Sequence, residues 1–150
     1  MNFNNTTIGL AADHTSYELK EAIKSHLASR GLRFIDFGVG KVEKSDYPDY
    51  AHKLGTAIER NELETGIALC GTGNGMAMTL NKYACIRAGL AWNEEIAKLI
   101  SAHNNANILV LPARFVVQAE LLKIVDAFLD TPFEGGRHLE RINKINKQKI

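Results

Sequence analysis

The sequence predicts an α/β fold, a parallel sheet covered by helices on both faces. Two observations carry this. Short apolar runs bounded by Gly, Asp or Asn alternate with helical patterns from end to end. Parallel neighbours also need crossover connections, which the intervening helical segments supply, and right-handed crossovers dominate. Strands are expected at Thr7–Ala12, Arg33–Asp36, 65–69, 86–91 and 108–111, all buried on both faces. Helices are expected over Tyr17–Ser29, 49–60, 74–83 and 94–103. Another follows the last strand over 116–129, where Val117, Leu121, Ile124, Val125 and Phe128 make one apolar stripe. Gly31 sits where a helix C-cap glycine belongs, and Pro48 lies near a helix start, where its missing N–H does least harm. A last helix introduced by Gly135-Gly136 carries Leu139, Ile142 and Ile145 as a stripe beyond the regular sheet unit, a face suited to a second subunit. No repeat, low-complexity tract or linker divides the chain, so residues 1–150 are expected to form one domain.

Composition narrows the function. With 150 residues, 45% hydrophobic and 23% charged, the chain can bury a full core, which excludes disordered and fibrous classes. Its 18 basic and 17 acidic side chains nearly cancel, so no strong field draws nucleic acid or an anionic membrane. A small anionic ligand remains open. No apolar run approaches the roughly 20 residues that span a bilayer, and the opening MNFNNTT has no basic-then-apolar pattern, so a cytoplasmic location is expected. Two cysteines, Cys70 and Cys85, fit a reducing compartment and lack metal-site spacing.

Ligands of such sheets bind beyond the carboxyl ends of the strands, where the winding direction reverses. The first strand runs into Asp13-His14 and the third into Cys70-Gly71-Thr72-Gly73-Asn74-Gly75, while His103-Asn104 and Arg114 lie near the fifth. All are expected at one rim. The glycine turn opens a helix, so its backbone N–H groups would face a phosphate or an enolate oxygen. A dinucleotide fingerprint would need glycine at Met76, and a phosphatase-like loop would need an arginine there. A thiol at such a turn has a stabilised thiolate and suits a base or nucleophile, although an isolated cysteine is more often an inert core residue. Cys85, without a glycine loop, keeps the inert assignment.

The other polar residues have two readings each. Asp13 would hold substrate hydroxyls or cap a helix, and His14 would bind phosphate or move protons. His103 would do chemistry or cap carbonyls at a helix end. His26, His52 and His138 show no ligand spacing, so no metal is expected. Arg137 and Arg141 lie one turn apart and would clamp an anion, or belong to a solvated basic terminus with Lys144, Lys147 and Lys149. Arg114 is a third guanidinium that could meet them, and the planar fork suits phosphate oxygens.

Together, Asp13-His14, Asp46-Tyr47-Pro48, Cys70 to Gly75, Asn81-Lys82, His103-Asn104, Arg114 and Glu134-Gly135-Gly136-Arg137-His138 resemble the ribose-5-phosphate isomerase B family, in order from Gly9 to Arg141. Galactose-6-phosphate isomerase subunits share this architecture, so the resemblance fixes the reaction better than the sugar. It implies a Rossmann-like, three-layer fold with a five-stranded parallel sheet. It also implies a homodimer or dimer of dimers with interfacial active sites, a small phosphorylated sugar as ligand, and aldose–ketose isomerisation through a cis-enediolate without metal or organic cofactor.

By motif position, Cys70 is implied as the base, with Thr72 orienting it or polarising a substrate oxygen. The N–H groups of Gly71, Gly73, Asn74 and Gly75 would stabilise the enediolate. His103 would open the sugar ring with Asp13 across from it, and Asn104 would bind an adjacent oxygen. His14, Arg114, Arg137 and Arg141 would clamp the phosphate, and Tyr47 would wall the pocket, with some of these residues supplied by a partner subunit. Some family members lack this cysteine and use glutamate where Met76 stands here. The expected substrates are ribose 5-phosphate and ribulose 5-phosphate. Alternatives are an isomerase of allose 6-phosphate, galactose 6-phosphate or a tetrose phosphate, and a noncatalytic sugar-phosphate-binding subunit that keeps the arginines without needing a thiol.

Overall fold

The apolar runs form five strands in a computed structural model that describes residues 6–146: β1 (Thr7–Ala12), β2 (Arg33–Asp36), β3 (Thr65–Cys70), β4 (Ala88–Leu90) and β5 (Ile108–Pro112). Six helices accompany them: α1 (Tyr17–Ser29), α2 (Tyr47–Glu59), α3 (Asn74–Leu80), α4 (Glu94–Ala102), α5 (Gln118–Asp130) and α6 (Arg137–Ile142). All pairings are parallel and the strand order is β2-β1-β3-β5-β4. The amino-terminal residues before Thr6, and Lys147 and Lys149 of the basic terminus, lie outside the described residues.

Strand alternation sorts the core into two layers. Ile8, Leu10, Ile67, Leu69, Leu109 and Leu111 pack under α1, α4 and α5, with Ile23, Leu27, Leu121 and Phe128 among their partners. Ala11, Ala68, Cys70, Ile108 and Val110 face α2 and α3, against Leu54, Ile58, Met76 and Leu80. The result is the expected three-layer sandwich. Gly31 has φ +71° and donates to the Ala28 carbonyl, as a C-cap glycine does.

Three expectations need correction. Strands β1, β3 and β5 are buried, but β2 alternates exposed and half-buried residues and β4 is half-buried throughout. These two form the edges and have one neighbour each. Helix α3 stops at Leu80 and β4 begins only at Ala88, because residues between them turn: Tyr83 donates to the Leu80 carbonyl and Ile86 to that of Tyr83. There the Asn81 side chain pairs with both the N–H and the C=O of Ala88, each at 2.9 Å, occupying edge groups that another strand would otherwise use. Val117, placed in the α5 stripe by sequence, is 70% exposed and precedes the helix as its N-cap residue, whereas Leu121, Ile124, Val125 and Phe128 are buried. Among the described residues no helix is long and apolar enough to cross a membrane.

Candidate functional site

Strand β1 lies between β2 and β3, so the winding reverses between β1 and β3, and both strands deliver polar residues at their carboxyl ends. Asp13 is buried at 6% exposure, and its carboxylate accepts from the Thr15 N–H at 3.0 Å and the Thr15 hydroxyl at 2.6 Å. It therefore caps the short helical turn His14–Ser16. His14 donates its backbone N–H to the Ser45 hydroxyl at 3.0 Å, and its Nδ1 lies 3.2 Å from the Ser45 N–H.

Cys70 ends β3, 4% exposed, on the sheet face that carries Met76. Beyond it the β3–β5 pairing continues: Ala113 donates to the Cys70 carbonyl and Arg114 to that of Gly71, both at 3.0 Å. That lays the Arg114 side chain over the glycine loop, where a Cβ on Gly71 would stand 3.3 Å from Arg114 Cδ. Gly73 has φ +78°, and a Cβ there would collide with Leu90, so only glycine fits. A Cβ on Gly75 would fall inside the Tyr47 ring, which puts the first residue of α2 against the loop. Thr72 is exposed, its hydroxyl accepting from the Asn74 N–H at 3.3 Å, and Asn74 is exposed beside it. Asp13, His14, Tyr47, Cys70, Gly71, Thr72, Gly73, Asn74, Gly75 and Arg114 thus share the carboxyl rim.

His103 and Asn104 do not. They follow α4 and precede β5, whose Ile108 pairs with Gly66 at the amino end of β3 while Pro112 pairs with Cys70 at the carboxyl end. The intervening four-residue rise is about 13 Å. Proximity in sequence to a strand does not say which end is near, and a crossover helix returns to the start of the next strand. Arg141 shares a pocket of about 330 Å³ at that rim with His103, Asn104, His138, Ile142 and Ile145. Arg137 lies on the same short helix. Within one chain, Arg114 therefore lies at the opposite rim from Arg141 and its helix.

The contact that sequence reasoning missed is that of His138 with His103. His138 is 7% exposed, and its ring stacks on His103 with centroids 4.2 Å apart and planes 9° from parallel. Glu134 Oε2 lies 3.5 Å from His138 Nε2 and 3.7 Å from His103 Nε2. The contact joins segments distant in sequence, so no spacing rule shows it. The one local signal is Glu134 and His138, four apart in the quoted motif. Burial pushes the His138 pKa below its ordinary value, and the charges of His103, Arg137 and Arg141 act the same way against Glu134. The three side chains offer ligand atoms within 4.8 Å of one another. Nearly parallel rings hold their nitrogen lone pairs in separate parallel planes, however, so the arrangement suits stacking rather than convergence on one ion.

The parallel α/β fold that carries these two rims has counterparts among known proteins. The chain belongs to the Ribose/Galactose Isomerase family, which it matches over residues 8–145. It is 44% identical over 142 residues to the probable ribose-5-phosphate isomerase B of Mycoplasma pneumoniae, covering 94% of this chain and 93% of that protein. It is 42% identical to the ribose-5-phosphate isomerase B of Escherichia coli over 92% of this chain and 93% of that one. Among solved structures it resembles a ribose 5-phosphate isomerase from Thermotoga maritima, with TM-score 0.91 and 48% identity over 94% and 97% of the two chains. It also resembles the Mycoplasma genitalium ribose-5-phosphate isomerase B with bound ribulose-5-phosphate, with TM-score 0.90 and 41% identity over 94% of each chain.

Proposed function

We propose that this chain is a ribose-5-phosphate isomerase whose active site is completed by a second copy of itself. The carrying observation is the division of its chemistry: Cys70 and the glycine loop stand at one rim, His103 and Asn104 at the other. A closed two-fold dimer brings unlike patches of two protomers together twice, giving two identical sites. Leu139 at 48% and Ile145 at 60% exposure leave an apolar face on and just beyond α6, beside the His103 pocket, for such a partner.

One protomer supplies Asp13, His14, Tyr47, Cys70 to Gly75 and Arg114, and its partner supplies His103, Asn104, Arg137 and Arg141. The partner's His103 and Asp13 open the furanose ring. The Cys70 sulfur takes the proton from C2 of the open aldose and returns it to C1, while the hydroxyl proton on O2 passes to O1. Backbone N–H groups of the glycine loop hold the enediolate charge between those events. Thr72 orients the thiol. His14, Arg114 and the partner's Arg137 and Arg141 grip the phosphate, and Asn104 and Tyr47 bound the sugar. A proton shift between neighbouring carbons involves no net oxidation, so the reaction needs no external oxidant or reductant.

The test is proton NMR in D2O with ribose 5-phosphate, alongside allose 6-phosphate, galactose 6-phosphate and erythrose 4-phosphate. Ribulose 5-phosphate formation with deuterium incorporation, abolished by Cys70→Ala, is the expected result. Turnover of a different sugar would reassign the substrate, and turnover that survives Cys70→Ala would remove the thiol from its role.

A further inference from the structure

The turn between α4 and β5 that carries His103 and Asn104 is held from outside by Arg87, the residue preceding β4. Its Nε donates to the carbonyls of Asn104 at 3.0 Å and Asn105 at 3.1 Å, and an Nη donates to the Asn105 carbonyl at 2.8 Å. Carbonyls just past a helix end lack intrahelical donors, and a cation there is doubly suited, to the orphan acceptors and to the helix dipole. Asn105 has φ +45°, the left-handed conformation that asparagine can adopt when it closes a helix, and its N–H donates to the Ser101 carbonyl while that of Ala106 donates to the Ile100 carbonyl. Asn107 closes the other side, accepting from the Arg87 N–H at 2.8 Å and donating to the Cys85 carbonyl at 2.9 Å.

We propose that Arg87 is a positioning residue for His103: the guanidinium spanning the Asn104 and Asn105 carbonyls fixes the turn that aims the imidazole at the partner's site. This rests on the functional reading above. Proton transfer requires hydrogen-bond reach, so a displacement of about an ångström at the imidazole is costly in rate. An ammonium at the same place keeps the charge but lacks the planar fork that bridges two carbonyls.

The experiment is a double-mutant cycle with Arg87→Lys and His103→Ala in the full chain, reading kcat by deuterium incorporation and folding by thermal melts. In the native background Arg87→Lys is expected to lower kcat about tenfold, leaving competition by inorganic phosphate unchanged. In the His103→Ala background the same substitution is expected to change kcat less than about twofold. An equal loss in both backgrounds, or no loss in the native one, overturns the proposal. Native turnover by His103→Ala alone would instead overturn the reading of the site, and the proposal with it, without reference to Arg87. Should Arg87→Lys fail to fold, Arg87→Gln, which keeps one donor, takes its place in the cycle under the same criteria.

Discussion

His138, which shows no metal-ligand spacing, and Cys70, which stands beside a glycine turn, illustrate what residue patterns can and cannot carry. Cys70 stands out because its context is contiguous: a buried strand, then three glycines within five residues, two of which admit no Cβ without collision. His138 is the opposite case, meaningful only through the His103 ring beneath it. Its lowered pKa gives a signed prediction. Above its ordinary pKa both folded and unfolded chains hold it neutral, so it contributes nothing to the pH dependence. As pH falls through that value, the unfolded chain binds the proton first and stability drops until the folded pKa is also passed. Acidification from about pH 7.5 to about pH 5.5 is therefore expected to lower the melting temperature of the native chain more than that of His138→Phe, which keeps a flat ring on His103. Parallel pH profiles for the two proteins would count against a buried neutral imidazole.

The order of elements was legible in the alternation of periods, and the exact ends of β1, β2 and α1 were legible in their punctuation. Element ends failed where a side chain stands in for backbone. Asn81 lies in a motif quoted for its resemblance, yet its described contacts are with the Ala88 backbone, where it acts as a surrogate strand partner at the edge of the sheet. No local signal distinguishes that from one more helical turn, so the sequence pattern extends α3 beyond its true end. Each such hydrogen bond is worth about 1 kcal/mol net, so Asn81→Ala is expected to lose about 1–2 kcal/mol. A urea midpoint unchanged from the native chain would show that water replaces the amide without cost.

At the scale of the whole molecule, the sheet and its two helical layers followed from the sequence, but the placement of the polar clusters did not. The pattern gives which residues flank a strand, whereas the rim they occupy depends on whether they precede or follow it, and His103 precedes β5. Complementation tests the consequence. Cys70→Ala and His103→Ala chains, the first inactive and the second with only a small residual rate, are expected to regain about a quarter of native specific activity when unfolded and refolded together, since half of the proposed dimers are mixed and each mixed dimer has one intact site. No recovery would place both residues within a single protomer's site.

The same opposition of rims has a genetic corollary. In the proposed dimer, a subunit carrying one lesion would leave a healthy partner one working centre, but a subunit lacking both Cys70 and His103 would spoil both centres of any dimer it joined. Two lesions in one copy of the gene would therefore act dominantly, through subunit poisoning, where either lesion alone would only halve the output of a mixed dimer.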